Sequence, residues 1–205
     1  MKIITISREF GSGGRELGKR LADHLGFAYY DREIITAIAE KKGMDTGYVE
    51  RALNGGWTSI PLTFRHTFAT PMLYQGVPTE LLLEQKRVIE EIAKAGRDCI
   101  IVGRNADVLL KDYHPFNIFV CADMEARLRR CTEHARPDEN IAPKKMEQMI
   151  RRVDENRIRT REIITGDRWG DARSYHLVVN TTGWVIKELT PVVADFALRW
   201  FDKSP

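Results

Sequence analysis

No run in this sequence is apolar enough, over enough length, to cross a bilayer, and cysteine is scarce: Cys99, Cys121 and Cys131, an odd number without CxxC spacing. The first absence argues against an integral helical membrane protein. The second argues against a disulfide framework and fits a reducing compartment; Cys99 and Cys121 fall in apolar strand-like runs and are expected in the core. The five histidines, His24, His66, His114, His134 and His176, lack ligand spacing, so no metal or catalytic role is assigned to them. Charge of one sign is lacking too. A net charge of +3 is too small to argue for nucleic acid, although 32 basic residues can still gather around a phosphate site. The start, Met1-Lys2-Ile3-Ile4-Thr5-Ile6, reaches glycine and charge within a few residues, so no signal peptide is expected and the cytoplasm is the expected location.

What is present is an ordinary globular composition, 43% hydrophobic and 30% charged, in 205 residues, which suits one α/β domain. Lys2 to Ser7 is a β-branched strand, followed by a glycine cluster and a helix with Leu17, Leu21 and Leu25 at four-residue spacing, closed by Gly26. Phe27 to Tyr30 reads as a second strand, and Asp31 as the cap of a helix carrying Ile34, Ile35 and Ile38. A short helix is expected from Asp45 to Leu53, and another from a Thr79 cap to Gly96. Asp98 to Val102 and Phe116 to Cys121 are buried strands. Asp123 caps a helix bearing Arg127, Arg129 and Arg130; the next helix starts at Pro143 with Met146, Met149, Ile150 and Val153 on one face. His176 to Asn180 is the last strand, and Thr190-Pro191 the expected start of the terminal helix. Strands separated by helices predict a parallel sheet with helices on both faces.

The glycine cluster carries the chemistry. A strand, a glycine-rich turn and an amphipathic helix form a phosphate cradle, because glycine allows close backbone approach and the helix start presents free N–H groups. Gly11, Ser12, Gly13, Gly14 and Arg15 occupy that turn, but neither the lysine nor the hydroxyl of the usual pattern follows the glycines. Arg104 stands just past a buried strand, at the usual ligand edge of an open α/β sheet. Asp31, also at a strand end, is either a helix cap or an acceptor-site residue.

From Ile6-Ser7-Arg8-Glu9-Phe10-Gly11-Ser12-Gly13-Gly14-Arg15-Glu16 through Tyr29-Tyr30-Asp31, the chain resembles the cytidylate kinase-like family of P-loop kinases. Ile100-Ile101-Val102-Gly103-Arg104-Asn105-Ala106 is similar to that family's Gly-Arg-Asp segment, with asparagine for aspartate, and Trp169-Gly170-Asp171 with Tyr175 to Thr181 is similar to its final strand. The resemblance spans nearly the whole chain except Trp57 to Pro78. It implies an α/β P-loop kinase fold with a five-stranded parallel sheet: a core of residues 1–31, 97–125 and 167–205, a helical acceptor-binding insertion at 32–96 and a lid region at 126–166.

The activity implied is transfer of the ATP γ-phosphoryl group to a nucleoside monophosphate, CMP or dCMP first, with Mg²⁺ required. Two other readings stand beside it: a nucleotide-binding regulatory protein with weak or lost transfer, and a kinase of another small metabolite. The resemblance puts Gly14 where cytidylate kinases carry the loop lysine and Glu16 at the metal-binding hydroxyl position. A cation must then come from Arg15, the first choice, or from Arg8 or Lys19. Gly11, Ser12, Gly13, Gly14, Arg15 and Glu16 are the expected donor-binding residues. Asp31, Arg104, Asn105 and Asp154 are expected on the acceptor side, with Arg104 on its phosphate.

Asp154, Arg157 and Arg161, at i, i+3 and i+7, share one helix face and form either a lid clamp with Arg157 and Arg161 catalytic, or a solvated salt-bridged face. Arg127 and Arg130 carry the same two alternatives, lid or surface. Nucleotides are the expected partners, without membrane or nucleic acid. Trp57, Phe64, Phe68, Met72 and Tyr74 form either an acceptor-side wall or a homodimer contact.

Overall fold

The structure is a computed structural model that describes residues 1–53, 78–134 and 141–203. The expected dimer or wall residues between Trp57 and Tyr74 lie outside the described residues. Five parallel strands form one sheet in the order β2-β3-β1-β4-β5. They are β1 (Ile3–Arg8), β2 (Ala28–Tyr30), β3 (Cys99–Val102), β4 (Phe116–Cys121) and β5 (Leu177–Asn180). β1 lies at the centre, in register Ile3 with Cys99 and Ile4 with Phe116.

The alternation of a strand divides the core in two. Ile4, Ile6, Ile100, Val102, Ile118 and Val120 face α1 (Gly14–Leu25) and the terminal helix α8 (Ile186–Lys203). Ile3, Cys99 and Ile101 face the other way, onto α2 (Arg32–Lys42), α3 (Thr46–Leu53), α4 (Thr79–Lys94) and the single turn α5 (Ala106–Leu109). Sheet residues such as Ile4, Ile6, Ile100 and Ile118 are wholly buried, which is why the strands read as continuous apolar runs. Cys99 is in the core, as expected, whereas Cys121 is half-buried.

The expected lid region holds α6 (Met124–Glu133) and α7 (Pro143–Thr165). Asp123 caps α6 by accepting from the Ala126 N–H at 2.7 Å. α7 begins at Pro143 and buries Met146, Ile150 and Val153. Among the described residues no helix is long and apolar enough to cross a membrane.

Two expected helix starts differ, and one expected cap makes no cap bond. Pro78, not Thr79, precedes α4, so Thr79 is its first helical residue. Asp31 precedes α2 but makes no side-chain cap bond, because its carboxylate turns to two arginines. α8 starts at Ile186, a turn before Thr190-Pro191, and Pro191 stands inside the helix. Ile186 is 3% exposed, so its burial holds this extra turn despite the proline.

Candidate functional site

β1 feeds directly into the loop. Gly11 and Gly13 take φ of 78° and 83°, in the left-handed region that glycine adopts without strain. Space is short as well: a Cβ on Gly13 would stand 2.5 Å from Ile186 Cδ1, and one on Gly11 would stand 2.9 Å from Cys131 Sγ. Ser12 is fully buried; its hydroxyl donates to the Glu9 carbonyl at 2.9 Å, and the Thr181 hydroxyl donates to the Ser12 carbonyl at 2.7 Å. The loop therefore rests on β5's far end, and α1 starts from Gly13 without a side-chain cap bond.

A second set of bonds ties the loop to α6 and α7. Arg127 is buried between them; it donates to the Phe10 carbonyl at 2.7 Å, pairs with Asp154, and lies 3.5 Å from Glu9. Asp154 also accepts the Phe10 N–H at 2.9 Å and holds Arg157 at 3.0 Å. Glu9 accepts the Ala122 N–H at 3.0 Å. Of the two alternatives weighed for Arg127, lid or surface, its burial sets aside the surface: it is a buried brace of the loop. Arg130 donates to the carbonyls of Thr181 and Trp184 at 2.6 and 3.2 Å.

Four arginines gather beyond the C-terminal ends of β1 and β3. Arg8 and Arg15 share one carboxylate, Asp31, at 3.9 and 2.6 Å. Arg157 donates to the Arg8 carbonyl at 2.8 Å and lies over the Phe10 ring at 5.8 Å. Arg104 follows Gly103 in the left-handed region, φ 60°, with its carbonyl held by the Gln85 amide at 3.2 Å. Burial lowers the pKa of Arg8; burial, then the charge of Arg8, lowers Arg104 to about 10 and Arg157 to about 9. Asp31 faces Arg8 and Arg15, Asp154 holds Arg157, and the charges of Asp31 and Glu50 act against the lowering at Arg104, so the guanidiniums stand among carboxylates at one cleft.

These residues line a cleft of about 880 Å³ between the loop, β2 and α7, within the size range of small-molecule sites. Glu16 also lines it but pairs with Arg20 at 2.7 Å. Asn105, at φ 53°, lines a smaller cavity of about 60 Å³ with Arg8, Gln85, Arg104, Asn156 and Arg157. Among the described residues no group of three or more His, Cys, Asp or Glu side chains is placed to hold a metal ion.

The structure thus brings together Gly11, Gly13, Gly14, Arg15, Asp31, Arg104 and Arg157 around one cleft, with Asp154 behind it, whereas Ser12, expected on the donor side, does not line it and is buried against Glu9 and Thr181. Arg161 is elsewhere. It shares the inward face of α7 with Asp154, but it is 2% exposed and donates to the buried carboxylate of Asp107 at 2.6 Å, outside the cleft. The expectation of Arg161 as a clamp residue is corrected on that account: its charge neutralises Asp107. Sequence reasoning had no handle on this pair, because Asp107 precedes Arg161 by 54 residues.

A glycine loop between β1 and α1, a 2-3-1-4-5 parallel sheet and arginines at the strand ends define the α/β fold of the P-loop small-molecule kinases. The chain belongs to the cytidylate kinase-like family, whose model matches residues 3–183. No curated protein sequence matches it. Among solved structures it is similar to an uncharacterized protein from Eubacterium ventriosum, at 21% identity over 100% of both chains, TM-score 0.69. It is similar to shikimate kinase from Acinetobacter baumannii in complex with shikimate, at 15% identity over 100% of this chain and 96% of that one, TM-score 0.55. A sugar kinase from Janibacter, unliganded, matches at 13% identity over 100% and 96%, TM-score 0.52.

Proposed function

We propose that this protein transfers the γ-phosphoryl group of ATP to a nucleoside monophosphate, with CMP or dCMP the first acceptors and Mg²⁺ as the accompanying ion. The observation that carries this reading is the convergence of Arg8, Arg15, Arg104 and Arg157 on a cleft that begins at the glycine loop. One phosphorylated ligand does not need four guanidiniums; a triphosphate facing a monophosphate does. Gly11 and Gly13 fit a triphosphate loop, since a left-handed backbone without side chains is the conformation in which loop N–H groups can approach phosphate oxygens.

In the transfer, an oxygen of the acceptor phosphate forms a bond to the γ-phosphorus. The bond from that phosphorus to the β,γ-bridging oxygen breaks, and the electron pair leaves with ADP. The acceptor phosphate, with a second pKa near 6, is mostly dianionic at neutral pH and needs no general base. The chain's task is then to position the two phosphates and neutralise the charge developing between them. In this reading Arg104 and Asn105 take the acceptor side, Arg157 spans the two phosphates, and Asp31 and Asp154 orient the arginines they pair with. Arg161 has no part in it. Mg²⁺, when bound, would neutralise donor phosphate charge, carried largely by phosphate oxygens and water.

The regulatory alternative draws on one observation, that Glu16 at the metal-binding hydroxyl position is engaged with Arg20. A panel assay separates the readings: ADP formation from ATP and Mg²⁺ with each nucleoside monophosphate, and with unphosphorylated sugars and shikimate. Acceptor-dependent ADP with CMP or dCMP is expected. ATP binding without turnover on any acceptor would favour the regulatory protein, and turnover only on an unphosphorylated acceptor would move the chain to another kinase class.

A further inference from the structure

Arg8 is seated by two glycines. It ends β1, and its Cβ and Cγ lie 2.6 and 3.0 Å from where a Cβ on Gly14 would be, with Val120 Cβ at 3.2 Å. Gly14 is not in a left-handed conformation, so the glycine there answers to space and not to backbone freedom. At the other end of the side chain, a Cβ on Gly103 would overlap the Arg8 guanidinium. Gly103 is called for by its own φ of 74° as well, but at Gly14 the chain forgoes a side chain to extend one arginine across the floor of the cleft, where its side chain is 14% exposed. Its nearest carboxylate among the described residues, Asp31, stands 3.9 Å off and is engaged more closely by Arg15 at 2.6 Å. Arg15 itself has 45% of its side chain exposed at the rim.

A P-loop lysine belongs at the position of Gly14, immediately after the last loop glycine Gly13, where it reaches the donor phosphates. Arg8 fills the space in which such a side chain would start. We propose that Arg8 supplies the cation of the missing loop lysine, reaching the donor phosphates from the end of β1, and that Gly14 is glycine because Arg8 passes there. This inference rests on the reading of the glycine loop as a triphosphate site. It makes Arg8, rather than Arg15, the principal cation of the donor, and it makes positions 8 and 14 a reciprocal pair: an arginine with a glycine, or a glycine with a lysine.

The test uses the full chain and two probes, ATP and inorganic tripolyphosphate, with affinity read by titration calorimetry and folding by thermal denaturation. Arg8→Met keeps the apolar stem between Gly14 and Gly103 and removes the charge. It is expected to fold and to bind both probes about tenfold to a hundredfold more weakly, while Arg15→Ala loses less. Arg8→Gly is expected to show a similar loss, and Arg8→Gly with Gly14→Lys to regain most of it, with Val120 shifting by a few tenths of an ångström. Arg8→Ala with Gly14→Lys is expected not to regain it, because the Cβ at position 8 still blocks the lysine.

Unchanged affinity in Arg8→Met would overturn the proposal, as would a folded Arg8→Gly/Gly14→Lys protein no tighter than Arg8→Gly. Absence of binding of either probe by the unaltered protein would overturn it too. Tripolyphosphate binding that depends on Arg8, with no nucleoside monophosphate phosphorylated, would leave the role of Arg8 standing and remove only the proposed acceptor.

Discussion

At the scale of single residues, the guanidiniums differ in what holds them, and so in what their loss should do. Arg104 lies beyond β3 with its carbonyl fixed by Gln85, and burial and Arg8 press on its charge. Its replacement by alanine is expected to raise the acceptor KM or lower kcat about 10- to 1000-fold, the equivalent of about 1.5–4 kcal/mol for a lost charged contact, with ATP affinity nearly constant. Steady-state kinetics with each substrate varied in turn checks the split; loss of ATP binding alone would reverse the two phosphate subsites. The fate of Arg161 shows why such roles were only partly legible. An arginine at i+7 from Asp154 is correctly put on the inward face by helix periodicity, but the sequence does not say that a buried Asp107 waits there.

His176 carries a pH signature of a different kind. Its Nδ1 accepts the Asn117 N–H at 2.9 Å, and its ring stacks on Phe116 and lies against Trp200. Burial lowers its pKa below the ordinary 6.5. Below pH 6.5 the unfolded chain therefore takes up a proton that the folded one refuses, so this contribution to stability is present above 6.5 and is lost as the pH falls through the folded pKa. Denaturation midpoints measured from pH 7.5 to 5 should fall less steeply in His176→Phe than in the unaltered protein; equal slopes would remove His176 as the source.

At the scale of elements, α7 is the one that joins the site to the fold. Its apolar residues Met146, Ile150 and Val153 mark the buried face from sequence alone, and Asp154, Arg157 and Arg161 continue that face inward. Of the two alternatives, clamp or solvated surface, burial sets aside the second for Asp154, which binds Arg127, Arg157 and the Phe10 N–H together. Asp154→Asn would leave the Arg127 charge buried with Glu9 at 3.5 Å as its remaining carboxylate among the described residues. A loss of about 3–5 kcal/mol in urea denaturation is expected, together with faster hydrogen exchange at the Phe10 amide. Unchanged exchange would mean that α7 does not brace the loop.

Element ends were harder to read than elements. Thr190-Pro191 has the chemistry of a helix start, and it misleads because the burial of Ile186 outweighs a proline inside the helix, a tertiary effect that local propensity does not contain. Asp31 has the chemistry of a cap, but its carboxylate has stronger partners in Arg8 and Arg15, brought to it across the sheet.

At the scale of the molecule, the fold was legible because each strand was bounded by glycine or a capping residue and the intervening helices had one apolar face, so a parallel sheet was the remaining arrangement. The cleft was legible in outline for the same reason: the loop after β1 and Arg104 after β3 lie at strand ends, and neighbouring parallel strands bring their ends together. What stayed hidden was the pairing between distant segments, such as Arg127 with Phe10 and Glu9, and the steric link between Arg8 and Gly14. Each depends on distances that no spacing in the chain encodes.

The central claim, phosphoryl transfer between two phosphates held by this arginine cluster, is tested most directly by following labelled phosphate from γ-³²P ATP in the presence of Mg²⁺ and CMP or dCMP. The account predicts that label moves into the corresponding nucleoside diphosphate, with transfer reduced at least tenfold in Arg104→Ala. Label released only as inorganic phosphate, or retained in ATP with every nucleoside monophosphate offered, would contradict it.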